Sequence, residues 1–164
     1  MTDSVALRAP AHRVSPLAIG YWTVRAAVGW LVLFAVELGW LFGDLGNLGI
    51  HTAVLVGTAL LAVAHLVIMP QWRYRVHRWE TTDEAVYTQT GWFTQERRIA
   101  PISRIQTVDS ERGPIEQLFG LANVTVTTAS AAGPVKIHGL RWDDAQRLVA
   151  DLTARVHTGE DDAT

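Results

Sequence analysis

Two long apolar segments near the N-terminus, joined by a short link without a Lys or Arg, constrain this 164-residue chain more than any other feature. The first occupies 21–42 and the second 51–69. At about 1.5 Å of rise per residue, each can cross a hydrocarbon core of about 30 Å. The link, GDLGNLGI, holds Asp44 and Asn47, which suit a turn. Helices joined so tightly run antiparallel. A cleaved signal peptide would have one shorter apolar core and then a small-residue cleavage site, whereas a second span follows here. The competing reading is a buried core hairpin of a soluble protein.

Arginine placement gives the expected direction. Arg8 and Arg13 precede the first segment, and Arg73, Arg75 and Arg78 follow the second. Both ends are therefore expected in the cytoplasm, with the link outside. Tyr21, Trp22 and Trp72 would mark the inner interface, and Trp40 and Phe42 the outer one. The arm 1–20 would be cytoplasmic and the hairpin would fill 21–69. Gly39 and Gly43 form a GxxxG spacing, a weak sign of close helix approach.

Three ionisable residues fall inside the spans, where charge is costly. Arg25 lies within a turn of the inner interface and can snorkel to it. His65 falls at a similar depth, so the two could share a wet inner rim. Glu37 is deeper. A lone carboxylate makes no proton relay, so it is read as a protonated or snorkelling group bonding Thr58 on the facing helix, or as a subunit contact.

After the second segment the pattern changes. WRYRVHRW alternates, with Arg73, Arg75 and His77 on one face and Trp72, Tyr74 and Val76 on the other, which predicts a strand. AVYTQTGWF, two segments within QERRIAPISRIQTVDS, NVTVTTAS and PVKIHGL predict further strands. PIEQLF predicts one helical turn ended by Gly120. From Asp143 onward, Ala145, Leu148, Leu152 and Val156 share a helical stripe, with Asp143 and Gln146 at capping-box spacing. The expected fold is a membrane α-hairpin plus an α+β domain over 72–157. Six or seven strands would form a bent antiparallel sheet or barrel, and the C-terminal helix would cap it. The loop AAG at 131–133 and a disordered acidic tail at 158–164 complete the reading.

The run IAPISRIQTVDSERGPIEQLFGLANVTVTTAS resembles the core of the bacterial pleckstrin-homology-like domains of the YdbS type. Its most specific parts are Ile102–Gln106, Val108-Asp109, Gly113-Pro114 and Leu118–Leu121, with Ile137–Leu140 also fitting. The resemblance spans about 15–157 and implies a PH-like fold, a cytoplasmic face and no known catalysis. Such proteins often occur beside a larger relative bearing several such domains, which implies a membrane complex. The motif residues Arg104, Gln106, Asp109, Gly113, Pro114, Phe119 and Gly120 are expected to be structural first. With Arg112, the polar ones could instead form a bonding network or an interaction surface.

Little chemistry is legible. The chain has no Cys, which excludes thiol catalysis and Cys-ligated zinc. Its six His form no HxH or HExxH pattern, and no phosphate-binding loop or nucleophile elbow is present. A net charge of −2 gives no case for nucleic acid. No catalytic residue, cofactor or metal is expected. Arg73, Arg75 and Arg78 are candidate contacts for lipid or a partner, extended by Arg97 and Arg98 if their faces coincide. The expected partners are the bilayer and another membrane protein or a second copy.

Overall fold

The structure is a computed structural model that describes residues 9–130 and 133–161. Helices α1 (Leu17–Gly43) and α2 (Leu48–Val76) run past the expected spans at both ends. A 3-10 turn at Leu45–Asn47 joins them. Asp44 shapes this link, accepting from the Gly46 N–H at 3.2 Å and from the Asn47 amide at 3.1 Å. Both helices are open along their apolar sides: Leu31 is 68% exposed and Phe42 76%. A buried soluble core would cover these residues, so this surface fits hydrocarbon. A Cβ at Gly39 or Gly43 would meet nothing within 4 Å, so the GxxxG spacing takes no part in packing within the hairpin.

The strand expected at 72–79 is mostly helix. Once a helix has formed, each added residue gains a hydrogen bond at little further cost, so α2 continues through WRYRV despite the alternation. His77 ends it. Its backbone N–H and its imidazole Nδ1 both bond the Arg73 carbonyl, at 2.9 and 2.8 Å. Only then does a strand begin, at Arg78.

Seven strands lie among the described residues, in two antiparallel sheets. The first has the order β1 (His12–Arg13), β2 (Arg78–Thr81), β3 (Ala85–Thr90) and β4 (Glu96–Pro101). The second has the order β5 (Ile105–Glu111), β6 (Leu121–Thr128) and β7 (Val135–Arg141). β1 comes from the arm, so the chain starts the domain, leaves through the hairpin and returns. His12 pairs with Trp79 and Arg13 with Arg78. A short helix α3 (Pro114–Leu118) links β5 to β6, and α4 (Trp142–Asp161) closes the chain.

Alternation in β6 and β7 directs Val124, Val126, Val135 and Ile137 inward, against Val86 and Ala100 of the first sheet. α4 covers this core with Ala145, Leu148 and Leu152, with Val156 at its margin, as the stripe predicts. Its start differs from expectation. The helix begins at Trp142, so Asp143 lies inside the first turn rather than at the cap, where it still complements the helix dipole. The helix also continues to Asp161, which replaces most of the expected tail. Residues 162–164, Ala131, Ala132 and the first eight residues of the arm lie outside the described residues.

Candidate functional site

The hairpin and the domain share one buried joint. Val14, Ala18, Tyr21, Trp22 and Leu121 form its centre, and Tyr74, Trp79, Ile115 and Phe119 pack around them. Fully burying a large apolar side chain contributes about 1.5–3 kcal/mol, so this cluster holds the two parts in fixed orientation. Tyr21 and Trp22 were expected to face the lipid interface; both are instead buried here. Gly139 of β7 makes the approach possible. A Cβ there would lie 2.9 Å from Ala18 Cβ, and its φ of +75° is open chiefly to glycine. The Ser15 N–H donates to the Gly139 carbonyl at 2.9 Å, tying the base of α1 to the strand.

Polar groups extend the joint. The Tyr21 hydroxyl donates to Glu116 Oε1 at 2.7 Å, and Arg25 donates to the same hydroxyl at 3.1 Å. Arg25 thus reaches back toward the domain and makes no bond to His65. Burial acts to raise the Glu116 carboxyl, yet the Tyr21 hydroxyl holds it below the usual carboxylate range. Phe119 lies over Gly20 and meets Tyr21 edge to face, with centroids 6.4 Å apart. Within the membrane segment, His65 accepts from Trp30 Nε1 at 2.9 Å. Glu37 accepts from the Thr58 hydroxyl at 2.5 Å, one of the two arrangements read from the sequence.

The candidate arginines do not form a single patch. Arg73 folds over the Trp22 ring, 4.6 Å from its centroid. Arg75 is exposed. Arg98 Nε donates to Glu96 at 2.6 Å and Arg98 also reaches the Pro134 carbonyl. Strand register joins the others differently. Arg13 pairs with Arg78, Arg78 with Gln89, and Gln89 with Arg97. Directly paired residues share a face, so Arg13, Arg78 and Arg97 make a row across four strands, with buried Gln89 between the last two. Arg97 Nε donates to Gln89 Oε1 at 3.1 Å. Arg13, which the sequence reading used only for orientation, belongs to this row.

The motif residues separate into two groups. Gly113, Pro114, Phe119 and Gly120 build the α3 turn. Gly113 caps it, Pro114 occupies its first position, and Gly120 has φ +64°. The Gly120 carbonyl accepts from the Trp142 N–H at 3.0 Å, linking this turn to α4. Arg104, Gln106 and Asp109 lie exposed on and beside β5. Asp109 accepts from the Thr107 hydroxyl at 3.0 Å, while Arg112 donates to the Leu121 carbonyl and stacks on Trp142. Among the described residues these four side chains make no hydrogen bond to one another: Arg104, Gln106 and Asp109 are exposed, while Arg112 is half-buried against Trp142.

Between the sheets, Thr88, Thr90, Glu96, Arg98, Lys136 and His138 line an open polar cleft of about 390 Å³. Burial, then the nearby Arg73 and Lys136 charges, push the His138 imidazole below its usual range. Among the described residues no group of three or more His, Cys, Asp or Glu is placed to hold a metal ion.

Comparison with known proteins agrees with this architecture. The chain is 27% identical over 165 residues to the UPF0699 transmembrane protein YdbS of Bacillus subtilis (strain 168), covering 93% of this chain and 97% of that protein. No solved structure gives a significant match. The family model described as "Bacterial PH domain" matches residues 27–156, which takes in most of the hairpin, strands β2 to β7 and most of α4. The chain therefore belongs to the bacterial PH domain family.

Proposed function

We propose that this protein is a non-enzymatic, membrane-anchored module that presents its PH-like domain to a protein partner at the cytoplasmic face of the cell membrane. The open edge of β5 carries this reading. Among the described residues β5 ends the second sheet, pairing with β6 alone, and Gln106, Thr107, Asp109, Ser110 and Glu111 are all exposed along it. An extended segment can add to such an edge through main-chain hydrogen bonds. β4, the corresponding end of the first sheet, is less suited. It contains Pro101, which lacks an N–H, and Arg98 ties it to Pro134. The buried joint adds a reason for an anchor of this kind, since it fixes the β5 edge relative to the bilayer. The partner is a second membrane protein, such as a larger relative with several PH-like domains, or another copy of this chain.

The test is site-specific photo-crosslinking in native membranes from Thr107 and Asp109. A discrete heavier adduct is expected from each position, and the one from Thr107 should be lost on Asp109→Lys while the protein remains folded. Recovery of uncrosslinked monomer alone from both positions overturns the reading.

One observation favours a second reading, engagement of anionic lipid: the Arg13–Arg78–Arg97 row on the first sheet. Each such cation near an anionic leaflet is worth about 1 kcal/mol. Replacing all three by Gln would then abolish any preference for phosphatidylglycerol over phosphatidylcholine among lipids co-purifying with the full chain. An unchanged lipid profile excludes it.

A further inference from the structure

We propose that the β3–β4 turn, Gly91–Gln95, inserts into the bilayer leaflet on the domain side as a third membrane contact beside the two helices. The turn carries Trp92 and Phe93 at its tip, 46% and 89% exposed. Its depth follows from what it touches. Trp72 Nε1 donates to the Trp92 carbonyl at 2.7 Å, and the Trp92 ring lies 6.2 Å from the His65 ring, both partners being on α2. α2 has 29 residues and so spans about 43 Å, more than a core of about 30 Å requires. Measured from the outer end near Ile50, a core of that thickness ends close to Met69. His65 lies about 6 Å inside that boundary at about 1.5 Å per residue. A ring packed against it sits where the acyl chains meet the headgroups, the level tryptophan favours.

The turn is built to hold this position. Gly91 has φ +108°, and a Cβ there would fall 1.9 Å from the Thr94 carbonyl oxygen, so the tip closes too tightly for any other residue. Trp92 and Phe93 meet edge to face with centroids 5.8 Å apart, making one apolar wedge. Polar residues resume at once. Thr90 pairs with Glu96, and the next rung pairs Gln89 with Arg97, the last member of the arginine row. With the wedge among the acyl chains, this rung lies at headgroup level. Beside α1, α3 exposes Leu118, 85% open, next to Phe119, which rests on Gly20. The domain thus exposes an apolar side chain beside each helix of the hairpin.

The absence of cysteine makes the test direct. A nitroxide is attached to Phe93→Cys in the full chain, reconstituted in phosphatidylethanolamine and phosphatidylglycerol bilayers. Val67→Cys, on the exposed side of α2, is the lipid reference and Glu84→Cys, exposed in the β2–β3 turn, the aqueous reference. The label at 93 is expected to collide with oxygen several-fold more than with a water-soluble nickel complex, as at 67. A profile like that at 84 overturns the proposal. So does protection from both reagents, which would mean that protein covers the tip. Thr94→Cys gives the same readout should labelling at 93 perturb the fold.

Discussion

Glu37 and Thr58 face each other across the hairpin, the threonine hydroxyl donating to Glu37 Oε1 at 2.5 Å, while Glu37 Oε2 is buried without a partner among the described residues. Removing Thr58, the one donor to Glu37 among the described residues, leaves a polar group stranded in an apolar setting, whereas removing both leaves none. Thr58→Val is therefore expected to destabilise the hairpin by about 1–3 kcal/mol. The double variant Glu37→Leu/Thr58→Val should recover most of that loss. Equilibrium unfolding in mixed micelles measures both, and additive losses would show that the bond contributes nothing.

Gly139 and Gly120 both have positive φ but differ in surroundings, which separates backbone strain from close approach. Around Gly120 an added Cβ meets nothing within 4 Å; at Gly139 it meets Ala18 at 2.9 Å. Gly120→Ala should cost about 1–2 kcal/mol, the left-handed backbone penalty alone. Gly139→Ala should cost more and should loosen the joint, seen as faster amide exchange at the base of α1. Adding Ala18→Gly should restore the contact part and leave the strain. Equal thermal shifts for the two single variants would mean that the joint yields freely.

What the sequence made legible follows the range of each interaction. The spans, the α4 stripe and the alternation of β6 depend on neighbours along the chain and were readable. The Glu37–Thr58 bond was readable too, because a tight antiparallel link sets the register of facing helices. At 72–76 two local signals competed, alternation against helix continuation, and the growing helix prevailed. The joint was invisible because it brings together Ala18, Tyr21, Leu121 and Gly139 from distant segments. The arginine row was hidden for the same reason, since only strand register aligns Arg13, Arg78 and Arg97. Trp92 and Phe93 did carry a signal, adjacent aromatic residues after a glycine, but their placement beside α2 needed the contacts with His65 and Trp72.

Topology offers an independent check. With arginines on the arm and at the exit of α2 and none in the link, a reporter fused after Val156 should be active only as a cytoplasmic enzyme. One inserted at 43–50 should be active only outside. The reverse pattern would place the β5 edge on the wrong side for a cytoplasmic partner.

Acid should weaken the joint through His77. Burial, then the Arg73 and His138 charges, hold its imidazole down to about 4, against an ordinary value of 6.5, although the Arg73 carbonyl bonded to Nδ1 opposes them. The Trp22 ring, 5.0 Å away, covers one face. Between these two values the unfolded chain binds a proton that the folded chain does not. Stability therefore rises with pH across the window and is lost as pH falls from about 6.5 toward 4. The full difference is on the order of 3 kcal/mol. His138, shifted in the same direction, adds to the slope. The melting temperature of the purified protein should fall steadily over that range. His77→Phe keeps a ring against Trp22 but cannot take up the proton, so its profile should be shallower, with His138 supplying the remainder. A slope unchanged by His77→Phe would mean that the acid sensitivity arises elsewhere in the domain.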